Sequence, residues 1–490
     1  MFATADTSME FSSLALNSST SAIAYCRKHH GRFVAELEEF IRFPSISAQV
    51  QHNGDIRRCA EWLAGHLQKI GMERVVVFPT RGYPIVYAEK CHAPGKPTVL
   101  IYGHYDVQPA EPLIEWQSPP FEPVIRGEDL YGRGASDDKG QLFTHVKALE
   151  ALLRGGRRLP VNVKCLFEGE EEIGSPNLPA FMIANRRLLA ADCAVISDTQ
   201  IPAAGQPAIT YALRGSINFE LEIFGQKREL HSGVLGGAIH NPLQALCEMI
   251  AQMHDQAGRI AIPGFYDRVR RWDAKERAYM NRVGPSDEKI LQDAGAAMGW
   301  GEPGYSLYER TTIRPAITVT AIHGGYQGGG VKAAIPTRAV AKLNFRLVPD
   351  QDPQEIDRLF RKYVAKITPP GLRTRIRTFA SSRPVLIDRN HPALMAAARA
   401  YHQGFGAAPV FLRNGGTIPV VGLIQEILHL PVVLMGFGLP DDAIHGANEK
   451  FYLPNFFNGI ETGIRFLTAI GQRQHASLVR RDNRQIFVTQ

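Results

Sequence analysis

Between residues 75 and 197 the chain sets short apolar runs with strand character before and after a stretch of helical periodicity. The runs cover 75–78, 85–87, 99–102, 161–167 and 191–197. Before them, 20–42 carries Phe33, Leu37, Phe40 and Ile41 on one helical face, and 55–70 reads as a second helix stopped by Gly71. After Gly134 another helix starts at Asp137 or Asp138 and turns Leu142, Val146, Leu149 and Leu153 inward. Strands alternating with helices predict an α/β layered core. In open sheets of this kind ligands bind beyond the carboxyl ends of the strands.

From about Gly215 the texture changes. Residues 217–224 and 316–322 read as strands, and 338–348 alternates as a strand with one wet face does. Helices at 242–254 and 353–367 lie between them, so this stretch reads as an inserted α+β unit. After about Pro384 the first pattern returns, with helices at 391–404, 417–428 and 455–470 and a strand at 432–435. At 490 residues the chain is too long for one ordinary core. The expected domains are 1–213 with 383–490, and 214–382. Residues 1–18 read as a loose arm, with Met9 as an alternative start.

Bulk properties exclude several function classes. A net charge of +7 without any block of five Lys/Arg argues against a nucleic-acid partner, and Arg473, Arg480, Arg481 and Arg484 read as a solvated tail. No apolar run reaches the roughly 18 residues that span a bilayer. No Lys or Arg precedes Arg27, so the charged start of a signal peptide is missing. Six cysteines at 26, 59, 91, 165, 193 and 247 form no CxxC pair, which suits a reducing cytoplasm.

The residues that follow the strands are unusually acidic. FEGEEEIGS at 167–175 places Glu168, Glu170, Glu171 and Glu172 within five positions at the end of an apolar run. GHYD follows 99–102 with His104 and Asp106, and GRGASDDKG follows Leu130-Tyr131 with Asp137 and Asp138. Asp198 follows 191–197, and DDAIHGANE, with His445, follows 432–435. Alone, Asp137 reads as a helix N-cap, His104 as a hydrogen-bonded core histidine and Asp198 as a turn residue. Together they would gather several carboxylates at one rim with little Lys or Arg to pair them, and such carboxylates drive one another neutral. Bound divalent cations remove the conflict. Imidazole with carboxylate and no thiolate points to Zn or Mn.

GHYDVQP, LYGRGASDDKG, GEEEIGS, ISD, ELHSGVLGG and DDAIHGANEK occur in the order of the motif series of the di-zinc metallopeptidases. The chain resembles that family from about Glu36 to Leu467. Its members include carnosinase-type dipeptidases, aminoacylase, carboxypeptidase G and succinyl-diaminopimelate desuccinylase, and the carnosinase-like dipeptidase branch is the most similar. The resemblance implies a phosphorylase/hydrolase-like zinc-peptidase catalytic domain with an inserted ferredoxin-like lid that mediates homodimerisation. It implies two divalent ions, Zn first, with Mn or Co as alternatives. Asp137 would bridge them, His104 and Asp198 would complete one site, and Glu172 and His445 the other. Glu171 would be the general base for a hydroxide bridging the metals, and Asp106 would orient His104. His231 would reach the partner subunit's site to stabilise the oxyanion, and Arg346 would clamp a substrate carboxylate. Gly415, Gly416 and Thr417 would contact substrate.

The implied reaction is hydrolysis of an amide bond beside a free carboxylate, in a small peptide or, as the alternative, an N-acyl amino acid. Three departures fall on the substrate side: Ala333 stands where the branch has Thr, Glu229 replaces the common Asp, and TFASSRP lacks a histidine. A dehydrogenase reading of GRG at 132–134 fails on spacing, because Asp137 occupies the place of the third glycine. A non-catalytic binding protein is disfavoured because no residue of the constellation is missing.

Overall fold

The computed structural model describes residues 18–472. Residues 1–17 of the expected arm at 1–18, the alternative start at Met9 and the arginines from Arg473 onward lie outside the described residues, and Ser18, the last residue of that arm, is helical. The chain divides into two compact units, one of Met1–Tyr211, Ile387–Phe411 and Leu423–Gln490, the other of Ala212–Leu386 and Leu412–Gly422.

The first unit is built on a mixed sheet. Its strands run in the order Glu73–Phe78, Ile85–Lys90, Asn162–Glu168, Thr98–His104, Cys193–Ile196 and Val432–Leu434, followed by the start of Ala208–Leu213. Thr98–His104 is parallel to both Asn162–Glu168 and Cys193–Ile196, and Val432–Leu434 is parallel to Cys193–Ile196. The carboxyl ends of four strands therefore share one edge of the sheet. Their side chains are apolar and fully buried (Val99, Leu100, Ile101, Val163, Cys165, Val195, Val433), as expected of strands covered on both faces. Helix Lys139–Arg154 is buried from Lys139 to Leu152 and packs against Leu453–Gly471, which in turn packs on Pro392–Phe405.

The second unit contains a four-stranded antiparallel sheet in the order Ala316–Gly324, Arg338–Leu347, Gly215–Phe224, Arg373–Ser382. With helices Pro242–Ala251 and Pro353–Ile367, the chain order is β-α-β-β-α-β, the ferredoxin-like arrangement. Alternate residues of Arg338–Leu347 (Ala339, Ala341, Leu343, Phe345, Leu347) join Ile217, Phe219, Leu221, Leu246, Met249 and Phe360 in one core. Helices Ala274–Val283, Asp287–Ala294 and Leu307–Thr312, which the sequence pattern did not suggest, surround a smaller core of Met280, Tyr308 and Ile313.

Four expectations are corrected. The helix at 20–42 is two helices, 18–28 and His30–Ile41, with His29 outside helical geometry at φ −113°, ψ 16°. The helix after Gly134 begins at Lys139, so Asp137 is not its cap; Asp138 holds that position and makes no capping hydrogen bond. Leu130-Tyr131 belongs not to the main sheet but to a small antiparallel one, with Val124–Arg126 and Lys450–Tyr452. The helix at 417–428 is an α-helical turn, Pro419–Leu423, running into a π-helical one, Ile424–Leu428. All six cysteines are free, and no described helix is long and apolar enough to cross a membrane.

Candidate metal centre

The shared edge of the main sheet brings together residues far apart in sequence. His104 ends its strand, directly in register with Glu168 on the neighbouring one. Three residues beyond Glu168 the chain enters a single helical turn, Glu171–Ile173, closed by Gly174 at φ 86°. Asp198 lies two residues after Ile196, and His445 comes from the loop after Val432–Leu434.

Asp137 sits between two groups of donors. Its Oδ1 is 3.1 Å from His104 Nε2, and its Oδ2 is 2.8 Å from His445 Nε2. His445 Nε2 is also 3.3 Å from Glu172 Oε2. His104, Asp137 and Asp198 form one three-donor group, and Asp137, Glu172 and His445 another, each with its donor atoms within 4.8 Å of one another. Among the described residues no Lys or Arg pairs with any of these carboxylates. The residues fit divalent ions on a further ground. Glu172 Oε1 is buried without a hydrogen-bond partner, and His104 Nε2, although 3.1 Å from Asp137 Oδ1, is buried without an aligned hydrogen bond, a costly state for polar atoms that a metal–ligand bond relieves.

The electrostatics of the metal-free protein show the same crowding. Burial pushes the Glu171 carboxyl up to about 7, against the pull of His104 and with added push from Glu172, Asp137 and Asp106. Asp198 is raised well above the carboxylate range by desolvation and then by Asp137 and Asp138. His445 is raised to about 10, first by its hydrogen bond to Asp137 and then by Glu172.

The surrounding residues fix this geometry. The Asp106 carboxylate accepts the backbone N–H of Glu171 at 3.2 Å and of Glu172 at 3.1 Å. His104 Nδ1 lies 3.2 Å from the Asp106 carbonyl and 3.5 Å from its carboxylate, so the backbone oxygen is the nearer anchor. Gln108 Nε2 donates to Glu172 Oε2 at 2.8 Å. Buried Glu449 accepts N–H groups from Gly134, Ser136 and Asp137 at 2.8–2.9 Å, and Arg133 pairs with it at 2.9 Å. Neither Gln108 nor Glu449 was singled out from sequence, although both stand inside motifs quoted above. Glu168 and Glu170 are buried. Glu168 accepts from Tyr102 and Ser175 at 2.6 and 2.8 Å, and Glu170 from the Tyr83 N–H and Asn177.

The other expected site residues lie in the second unit. His231 is exposed on the short strand Leu230–His231, paired with Ala334–Ile335, and its Nδ1 accepts the Gly233 N–H at 3.1 Å. Arg346 donates from Nη1 to Thr417 Oγ1 at 2.9 Å, beside Gly415 and Gly416.

Comparison with known proteins agrees with the motif reading. The family model "Peptidase family M20/M25/M40" matches residues 100–469. The Cys-Gly metallodipeptidase dug1 of Schizosaccharomyces pombe is 31% identical over 455 residues, covering 89% of this chain and 94% of that protein. The Beta-Ala-His dipeptidase of Homo sapiens is 29% identical over 465 residues, covering 91% and 92%. Among solved structures, the M20 family metallo-carboxypeptidase Sso-CP2 of Sulfolobus solfataricus superposes with a TM-score of 0.80 at 33% identity, over 90% of this chain and 99% of that one. The chain belongs to peptidase family M20/M25/M40, on the carnosinase-like branch, and is a metal-dependent peptidase.

Proposed function

We propose that the protein is a dinuclear dipeptidase that hydrolyses the amide bond next to a free carboxylate and so releases the C-terminal residue of a dipeptide. The observation that carries this reading is Asp137, whose two carboxylate oxygens face two different donor groups. Zinc is the proposed ion, with Mn or Co as alternatives, because the donors are imidazole and carboxylate without thiolate. Divalent ions held there supply Lewis-acid activation of water and of the scissile carbonyl.

The chain's own groups take the remaining roles. Glu171 is the general base that takes a proton from the attacking water and delivers it to the leaving amine. Asp106 fixes the Glu171 amide and the His104 ring together. Because His231 Nδ1 accepts a hydrogen bond, the ring of its neutral form carries its proton on Nε2, the tautomer that can donate to an oxyanion. Arg346 receives the substrate carboxylate, with Gly415, Gly416 and Thr417 beside it.

We further propose that 214–382 acts as the lid and dimerisation domain on a catalytic domain of 1–213 and 383–490, with His231 serving the partner chain's site in a homodimer. Six free cysteines support a reducing compartment such as the cytoplasm. The names of the relatives, Cys-Gly and Beta-Ala-His dipeptidases, favour dipeptides over N-acyl amino acids. A panel of dipeptides set against N-acetyl amino acids, with metal-loaded protein, tests the choice. Hydrolysis of the free dipeptides is expected, and turnover confined to the acylated compounds would overturn the dipeptidase reading.

A further inference from the structure

In the second unit two arginines come together without a counter-charge. Arg214 directly precedes the strand Gly215–Phe224, and Arg346 lies on the adjacent strand opposite Ser216. Thr417 joins them, since its hydroxyl accepts from Arg346 Nη1 at 2.9 Å and donates to the Arg214 carbonyl at 2.7 Å. Arg214 is tied to the same loop by Nε, which donates to the Gly415 carbonyl at 2.9 Å, and by its N–H to the Gly416 carbonyl at 3.2 Å.

Both guanidinium groups are half-buried, and among the described residues neither has a carboxylate partner. Other arginines of this unit behave differently. Arg277, Arg314 and Arg413 meet Glu309, Glu302 and Glu276 at 2.6, 2.7 and 2.8 Å. Burial, and then the charge of Arg346, hold Arg214 down to about 10. Two like charges in a half-buried place repel, and a bound anion relieves both the repulsion and the lost hydration. Among the described residues, both Nη groups of Arg214, and Nε and Nη2 of Arg346, make no hydrogen bond.

We infer that Arg214 and Arg346 form one double-guanidinium site for a residue bearing two carboxylates, so that Arg214 selects dipeptides ending in aspartate or glutamate. The inference rests on the peptidase reading, in which Arg346 takes the substrate's terminal carboxylate. That single charge neutralises one guanidinium and leaves the second. An acidic C-terminal side chain supplies the missing anion, and each guanidinium fork can then meet a carboxylate. A role for Arg214 as a loop staple alone would use its Nε bond and leave the second charge unexplained.

The test is kcat/KM of the metal-loaded full chain on Ala-Asp against Ala-Asn and on Ala-Glu against Ala-Gln. The acidic member of each pair is expected to be favoured by at least about tenfold. Arg214→Gln should bring both ratios close to one, and Arg214→Lys should keep part of the preference. Hydrolysis of the amides without acidic preference overturns the inference, and so does an Arg214→Gln enzyme with unchanged ratios. Calorimetric titration of the same proteins with L-aspartate and L-asparagine gives a reading independent of turnover. Aspartate is expected to bind at least about tenfold more tightly, and to lose that margin in Arg214→Gln. Equal binding of the two amino acids to the unsubstituted protein overturns the site. If none of the four dipeptides is cleaved while aspartate is still preferred, the peptidase reading fails and the anion site stands.

Discussion

The Glu449 carboxylate accepts the backbone N–H of Asp137 at 2.9 Å, across 312 positions of sequence. The same side chain holds Gly134 and Ser136, and its charge is met by the buried Arg133. The loop that presents Asp137 is thus shaped by a residue that meets Asp137 only through its backbone N–H. Glu449→Ala is expected to leave the buried Arg133 without its carboxylate partner and to cost about 3–5 kcal/mol of stability. Metal affinity should fall by about 10–100-fold, the scale for residues that orient ligands. Urea unfolding and metal titration check the two effects, and a variant with native stability and affinity would show that the loop keeps its shape without Glu449.

Glu171→Gln should retain the metals and lose turnover by at least about 10²-fold, the usual scale for removing a general base. The amide side chain keeps the size of the carboxyl and cannot take the proton. Metal analysis together with kcat decides this. Full activity would remove Glu171 from the base role.

His231→Ala should lower kcat without changing metal content, because His231 lies outside both donor groups. The loss of one oxyanion donor is commonly about 10²-fold. Unchanged turnover would take His231 out of the reaction.

Acid should destabilise the fold through buried neutral histidines. His66 is lowered to about 4 by burial and by the Lys147 charge, and His145 to about 4 by burial alone. The unfolded chain binds protons at these rings from about pH 6.5 downward, whereas the folded one does so only near 4. Their contribution is therefore complete above about 6.5 and declines between 6.5 and 4, by about 1.4 kcal/mol per pH unit for each ring. Unfolding of chelator-treated protein at pH 7, 6, 5 and 4.5 measures the slope, which His145→Gln should reduce. A slope identical in that variant would contradict the buried neutral state of His145.

Much of the proposed centre was legible because its donors follow strands directly. A buried parallel strand is a short apolar run, so His104, the glutamates from Glu168 on, and Asp198 mark their own places at strand ends. Asp137 was located by its motif, since the short strand before it belongs to another sheet. Glu449 and Gln108 were overlooked because their task is to accept or donate one or more hydrogen bonds, which no spacing in the sequence records. The alternation in 338–348 marks the second unit as an inserted α+β unit, and its ferredoxin-like character follows only from the family resemblance. Its edge strand Arg373–Ser382 escaped notice because exposed positions interrupt its apolar pattern. His29 divides the first helix without a Gly or Pro to signal the break.

Two divalent ions held at Asp137 are proposed to make this chain a dipeptidase. The most direct measurement removes metal with a chelator and then follows dipeptide hydrolysis as Zn or Mn is returned in known equivalents. Activity is expected to vanish on removal and to return to a plateau at two ions per chain. Hydrolysis that persists in the chelated protein, or a plateau at one ion, would contradict it.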